Sequence, residues 1–156
     1  MKKIVFLLLS ALLASVVLTV VSCQDSYSAL RNELDQNRQV WNNQKITHYR
    51  YELRVLCFCP TELTAPVKVE AKDGNTISLK YVASGEDVKM TEFQNYDTMD
   101  KMFKVIQDAI DRKAAEITAK FDSKLGFPAS IRIDNIEQAI DDEISFEITN
   151  VEVLAK

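Results

Sequence analysis

The chain carries a single histidine, His48, among its 156 residues. No nucleophile motif accompanies it, so a histidine-based triad has nothing to activate. His48 therefore reads as a surface or capping residue. An EF-hand is missing as well, since no Asp-x-Asp-x-Asp-Gly run occurs. Glycine and proline number three each, and they form no low-complexity linker. Basic charge is in deficit: 19 Lys and Arg face 23 Asp and Glu, a formal net charge of −4. That balance argues against nucleic acid as a partner and against docking onto anionic lipid. Its plainer meaning is that mild acidity keeps the domain soluble. Recognisable catalytic machinery is lacking, which points to a non-enzymatic protein, and no cofactor is implied.

What is present begins at the amino terminus. Lys2 and Lys3 precede an apolar run from Ile4 to about Val21, which ends in Val20-Val21-Ser22-Cys23. A basic start, an apolar stretch and a small residue before a cut are the parts of a secretory signal. The run is about 18 residues, near the lower limit for spanning a bilayer, so length alone leaves a retained anchor open. The position of Cys23, with no Lys or Arg directly after the run, favours cleavage. The segment resembles the bacterial lipobox. That resemblance implies a signal peptide over residues 1–22, with Cys23 acylated as the first mature residue. A palmitate-bearing tether over 23–28 then leads into a single domain over 29–156. Two or more acyl chains hold a protein at a membrane that one chain binds only marginally. An Asp after the lipidated cysteine tends to retain a lipoprotein in the inner membrane. Gln24 stands there instead. In a Gram-negative host the expected address is thus the outer membrane, facing the periplasm or the surface. Losing Lys2 and Lys3 makes the mature chain more acidic.

The mature chain is long enough to bury a core without staples. Residues 27–44 read as a helix, with Tyr27, Leu30, Leu34 and Trp41 on one stripe. The period then switches to two. From Tyr49 to Cys59 the odd positions are Tyr49, Tyr51, Leu53, Val55, Cys57 and Cys59, which predicts a half-buried strand with the odd set inward. Pro60 stops that ladder. Val67, Val69 and Ala71 alternate in 67–72, Asp73-Gly74 is a hairpin turn signal, and Ile77, Leu79 and Tyr81 form the return strand. Residues 84–95 read as a polar loop with Met90 and Phe93 as plugs. Met99, Met102, Phe103, Ile106 and Ile110 repeat at helical spacing, with Asp97 as the expected N-cap and Asp100 in the first turn. Strands are predicted over 115–121, 129–134 and 143–149, the last extending toward Val153. The fold class expected is α+β: an antiparallel sheet of about six strands with two helices on one face, in the order αβββαβββ.

Two groups of residues carry candidate chemistry. Cys57 and Cys59 are the only thiols left once Cys23 is acylated. Exported proteins favour disulfides. In an extended strand, residues two apart lie roughly 6.6 Å apart, from a rise of about 3.3 Å each. Disulfide Cα atoms tolerate up to about 6.8 Å with a mode of about 5.5–6 Å, so a bridge there is possible but strained unless the chain bends, and Pro60 would supply such a bend. Strain would make such a bridge exchangeable. Placed on the core face, the same cysteines would behave as inert apolar residues. Three readings therefore stand open: a structural pair, a redox pair and a soft-metal site such as Cu(I). The second group is acidic: Asp134, Glu137, Asp141, Asp142 and Glu143. Of these, Asp134, Asp141, Asp142 and Glu143 form a weak Ca²⁺ candidate, against the plainer reading of a solvated connection. Trp41, Tyr49 and Tyr51 cluster where the first helix meets the first strand. Core packing is their expected use, and an aromatic ligand platform is the sharper alternative. Gly126-Phe127-Pro128 is read as a turn without chemistry.

Tyr49-Arg50-Tyr51-Glu52, Cys57-Phe58-Cys59-Pro60, Phe121-Asp122, Gly126-Phe127-Pro128, Ile131-Arg132-Ile133-Asp134 and Asp141-Asp142-Glu143 together resemble an uncharacterised family of bacterial lipoproteins. Its pattern joins a lipobox to a Tyr-rich strand, a CFCP-like segment and a GxPxxIxID…DDE-like tail. Phe121 and Phe127 stand where the pattern leads one to expect Tyr, so no role for a phenolic hydroxyl carries over to them. The resemblance implies fold and export, and no activity. Two functions follow as expectations. The first is an exported, membrane-tethered binding or structural module that contacts a protein or envelope component through its sheet or an edge strand. The second is thiol-redox or soft-metal handling by Cys57 and Cys59.

Overall fold

A computed structural model describes residues 27–155. Cys23 and the expected signal peptide lie outside the described residues. Helix α1 spans Ser28–Asn43, followed by β1 (His48–Cys57), a short α2 (Thr61–Thr64), β2 (Val67–Lys72) and β3 (Asn75–Tyr81). A short α3 (Met90–Phe93), then α4 (Met99–Asp111), β4 (Glu116–Phe121), β5 (Pro128–Asp134) and β6 (Ile144–Val153) complete the chain. The six strands form one antiparallel sheet in the order β3-β2-β1-β6-β5-β4. The α+β architecture and the strand count match the sequence reading. Each αβββ half folds as a local meander, and β1 and β6 join the two across the middle.

One face of the sheet is apolar from edge to edge because period-two alternation and register agree. Tyr51 lies opposite Val69 and Leu53 opposite Val67 on one side of β1, while Leu53 meets Ile148 and Val55 meets Phe146 on the other. The stripe continues through Ile131 opposite Phe146 and Ile117 opposite Ile133. Burying a side chain of this size contributes about 1.5–3 kcal/mol, so this face is the main stabilising element.

Helix α4 supplies the cover. Met99, Met102, Phe103, Ile106, Ala109 and Ile110 are all buried, a stripe at intervals of three and four. Helix α1 buries Leu34 and Trp41. The helices run antiparallel: Arg31 near the start of α1 bonds Asp111 at the end of α4 at 3.1 Å, while Arg38 stacks 5.6 Å from the Phe103 ring. Hydrogen bonds from Gln107 and from Arg31 hold the Asp111 carboxyl below its ordinary range.

Three expectations about local structure change. The strand expected to reach Cys59 ends at Cys57, because a Cys57–Cys59 disulfide draws their Cα atoms to 5.2 Å, closer than an extended chain allows. The expected polar loop over 84–95 contains α3, whose Phe93 is fully buried while Met90 stays exposed. The N-cap of α4 is Thr98, whose side chain accepts from the Lys101 N–H; Asp97 sits one residue earlier, buried, with Lys101 Nζ on its carboxylate. Capping needs a side-chain oxygen within reach of the second or third helical N–H, and Thr98 occupies that place.

Bulges tune the sheet. Glu52 faces Thr149 and Arg50 faces Glu152, leaving Asn150 as the added residue at φ 52°. Without it, Val151 and Glu152 would exchange faces. Asn tolerates that left-handed conformation better than most residues. A second irregularity leaves Ile77 without an opposite residue in β2, and it is half-exposed rather than part of the inward row with Leu79. The Asp73-Gly74 hairpin is as expected, with φ 48° and 78° at its two turn residues.

Candidate functional site

The second face of the sheet is open and polar, and its charges alternate in sign. Arg50 donates from Nε and Nη2 to Glu152 Oε2 at 2.9 and 2.6 Å, and Asn150 donates to Glu52 Oε2 at 2.9 Å. Arg54 lies 4.0 Å from Glu147, and His48 Nε2 lies 2.7 Å from Glu70 Oε1. These pairs bridge β2, β1 and β6. The exposed arginine pairs each contribute about 0–1 kcal/mol, so they specify register and wetness more than stability. His48 thus sits on the polar face, pinned by Glu70 and by the Ala155 carbonyl, in line with the surface role expected of it.

Beyond β6 this face carries a shallow groove whose polar lining is Thr118, Lys120, Ser130, Arg132, Ser145 and Glu147, with Leu56 and parts of Ile131 and Phe146 adding apolar surface. Its hydroxyls, two cations and one carboxylate, set among apolar surface, suit hydrogen bonding to a peptide. At one edge of the sheet, residues 86–88 add to β3: Tyr81 donates to Glu86 O and Val88 to Leu79 O. At the other edge, β4 has β5 on one side and, among the described residues, no further strand beyond it. Glu116 and Lys120 place charge on that short edge, which blunts indiscriminate strand addition.

The aromatic cluster is core. Trp41, Tyr49 and Tyr51 are all buried. Trp41 meets Tyr49 edge-on at 5.2 Å, and Tyr49 stacks on Tyr51 at 6.0 Å. The Tyr49 hydroxyl accepts the Met99 N–H at 3.0 Å, satisfying a donor at the start of α4 that has no partner within the helix. Burial pushes the Tyr49 phenol up to about 12, and burial likewise raises Tyr51 well above the ordinary value. The ligand-platform alternative is therefore overturned: these rings have no face left to offer.

Cys57 and Cys59 stand at the end of β1, Cys57 half-buried and Cys59 exposed. The expectation that both sulfurs lie on the core face holds for neither in full, because the chain leaves the ladder at Cys57. Between them Phe58 is 83% exposed. The three-residue loop thus presents an aromatic ring to solvent. The apolar pair Leu56 and Phe58 on the otherwise polar side of β1 leads one to expect that end to be covered on both faces, and Phe58 is not covered. The signal for its exposure was Pro60, which ends the strand, combined with a cysteine spacing too wide for extended chain.

The acidic residues are spread along the connection from β5 to β6. Asn135 Nδ2 bonds Asp142 O at 2.8 Å and pins that connection, where Asp141 adopts φ 68°. Asp134 Oδ1 and both Asp142 carboxylate oxygens are buried without a hydrogen-bond partner. Asp134, Asp141, Asp142 and Glu143 do not converge, since among the described residues no three His, Cys, Asp or Glu side chains form a metal-holding group. Two apolar side chains that the sequence reading passed over, Ile136 and Ile140, protrude from the same connection.

The family model of DUF6174, a family of unknown function, matches residues 33–153. The chain belongs to that family. The match begins inside α1 and ends on the last residue of β6, so it covers the whole sheet, all of α4 and most of α1. Cys23 falls outside it. No curated protein and no solved structure matches the chain. Among the described residues, no helix is long and apolar enough to cross a membrane.

Proposed function

We propose that this protein is an exported, lipid-anchored module of the cell envelope that works by binding and carries no catalysis. Lipidation falls to Cys23, after removal of residues 1–22, and the sheet domain is held at the membrane by that lipid. The observation that carries the reading is the Cys57–Cys59 disulfide. It occupies two of the three cysteines in the chain, which suits an oxidising compartment and leaves Cys23 as the one thiol outside the pair. The signal-like start, with Lys2, Lys3 and the apolar run to Val21, supports the same reading. The binding surface is the open polar face with its groove between β4, β5 and β6, or the free edge of β4, and the partner is a protein or another envelope component. Palmitate labelling of wild type and Cys23→Ala tests the anchor: label on the wild type alone is expected, and equal labelling rejects it. A pull-down from envelope extract with the anchored chain then identifies the partner.

A second reading draws on the exposure of Cys59. A disulfide at a solvent-accessible bend is open to thiol attack, which a redox or soft-metal role for Cys57 and Cys59 would use. Thiol counting under native and denaturing conditions, after mild reduction, separates the two. Cysteines that regain reactivity only when the chain unfolds remove this reading.

A further inference from the structure

The lipid-anchored reading fixes only one point of the chain at the membrane; the fold supplies an orientation. Three structural features meet at one end of the sheet. The first is the start of α1. Tyr27 donates its hydroxyl to the carbonyls of Ala114 and Ala115, and Ala115 N–H bonds Asn135 O at 3.2 Å. Arg112 Nε adds a bond of 3.0 Å to Asn135 Oδ1. The amino-terminal end of the described chain is thus locked beside the connection from β5 to β6. The second is that connection itself, residues 135–143, which carries Ile136 and Ile140. The third is the disulfide loop with Phe58. Register places it at the same end, because Cys57 lies opposite Ile144 and Ile144 lies opposite Ile133.

Single exposed apolar residues are ordinary on protein surfaces. Here the most exposed of them cluster. Among the described residues the three most exposed large apolar side chains are Ile140 at 87%, Phe58 at 83% and Ile136 at 59%. All three occupy the loops at this one end. The opposite end, with the β2–β3 hairpin and the turn from β4 to β5, carries none of the three, and its Val153 and Ile77 are only half-exposed. Cys23 precedes Tyr27 by four residues. At about 3.5 Å per residue such a segment reaches roughly 14 Å at most, less than half the thickness of a bilayer's hydrocarbon core. A domain anchored through Cys23 is therefore held with this end near the lipid.

We infer that the Phe58 loop and the Ile136–Ile140 connection form a membrane-contact surface, with both sets of apolar tips entering the interface of a zwitterionic leaflet beside the acyl anchor. The disulfide holds Phe58 at the tip of its loop, where it need not be ordered on contact. Glu137, Asp141 and Glu143 flank the isoleucines and disfavour an anionic leaflet, so the lipid is of zwitterionic headgroup. The open polar face and the free edge of β4 then stand perpendicular to the membrane, clear for a partner.

The inference rests on the proposed anchor, and the experiment separates the two. Ile140→Cys and Ile77→Cys are prepared in the full acylated chain, each giving one free thiol for an environment-sensitive fluorophore. Ile77 lies beside the β2–β3 hairpin at the far end. The labelled proteins are reconstituted in phosphatidylcholine vesicles with and without brominated acyl chains. A blue-shifted probe at position 140, quenched severalfold more by brominated lipid than the probe at 77, is the expected result. Vesicle-bound protein whose probes at 140 and 77 are quenched alike overturns the orientation and leaves the anchor standing. The same holds for a probe at 140 that stays unquenched by brominated lipid but shielded from soluble quencher, which means that protein, a second copy of the chain, covers the patch instead of lipid. Protein that fails to stay with the vesicles overturns both the anchor and this inference.

Discussion

Replacing Gly126 with alanine tests how α1 is seated. Gly126 lies in the turn from β4 to β5 at φ 79°, and a Cβ built there falls 2.5 Å from Asn37 O and 2.8 Å from Val40 Cβ. Asp122 shapes this turn, with its Oδ1 accepting the N–H groups of Lys124 and Leu125 at 3.0 and 2.7 Å. The backbone of the turn therefore presses directly on helix α1, and glycine is what lets it approach. Two costs follow. An L-residue in the left-handed region costs about 1–2 kcal/mol. Forcing a methyl against backbone and a β-branched side chain costs about 1–3 kcal/mol more. Their sum, roughly 2–5 kcal/mol, lowers the melting temperature by roughly 8–20 °C at about 4 °C per kcal/mol for a domain of this size. Gly85→Ala supplies the control. Gly85 has φ 73° and nothing within 4 Å of its built Cβ, so only the first cost applies. Thermal and urea unfolding, followed by far-ultraviolet circular dichroism, should show Gly126→Ala losing at least about 1 kcal/mol more than Gly85→Ala. Equal losses would refute the claim that α1 and this turn meet at van der Waals contact.

Thr98→Ala removes the cap that accepts the Lys101 N–H and should cost about 1 kcal/mol, whereas Asp100→Ala costs less because it removes only a charge near the helix dipole; urea midpoints measure both. High pH should destabilise the fold. The Tyr49 phenol titrates near 12 in the folded chain and near 10 when unfolded, so its contribution is fully present below pH 10 and is lost as pH rises through 12, at about 1.4 kcal/mol per pH unit. Tyr49→Phe removes that share of the slope, which stability measurements between pH 9 and about 11.5 would detect. Replacing Cys57 and Cys59 with serine should lower stability by about 1.5 kcal/mol or less, since the loop that the bridge closes is very short. A larger loss in calorimetry would mean that the bridge supports β1 itself.

Much of the architecture was legible along the chain because it depends on neighbours a few residues apart. The alternation from Tyr49 to Val55 names the inward set, and Leu53 and Val55 are indeed buried with Tyr49 and Tyr51. The stripe from Met99 to Ile110 identifies α4 for the same reason: a helix repeats within one turn what it buries. Asp73-Gly74 marks its hairpin because positive φ is a local requirement. Ile77, Asn150 and the pair Asp97 and Thr98 show where this reach ends. A bulge is a disagreement between two strands and is invisible in either alone. Of the adjacent cap candidates Thr98 accepts the Lys101 N–H, while the Met99 N–H goes to the Tyr49 hydroxyl, fifty positions away.

Cysteine spacing showed that a bridge in extended chain would be strained, and the disulfide occurs where the ladder breaks. That Cys59 and Phe58 face solvent depends on where β1 stops pairing with β6. By its own pattern the chain determined α+β class, strand alternation, the covering helix and the signal-like start, all consequences of local periodicity and composition. Tertiary structure alone decided that β1 pairs with β6, from opposite ends of the domain, and so brought Tyr27, Phe58, Ile136 and Ile140 to one end of the sheet. The physical reason is that pairing between distant strands is selected by the burial of a whole face at once, a sum over many residues that no short window of sequence contains.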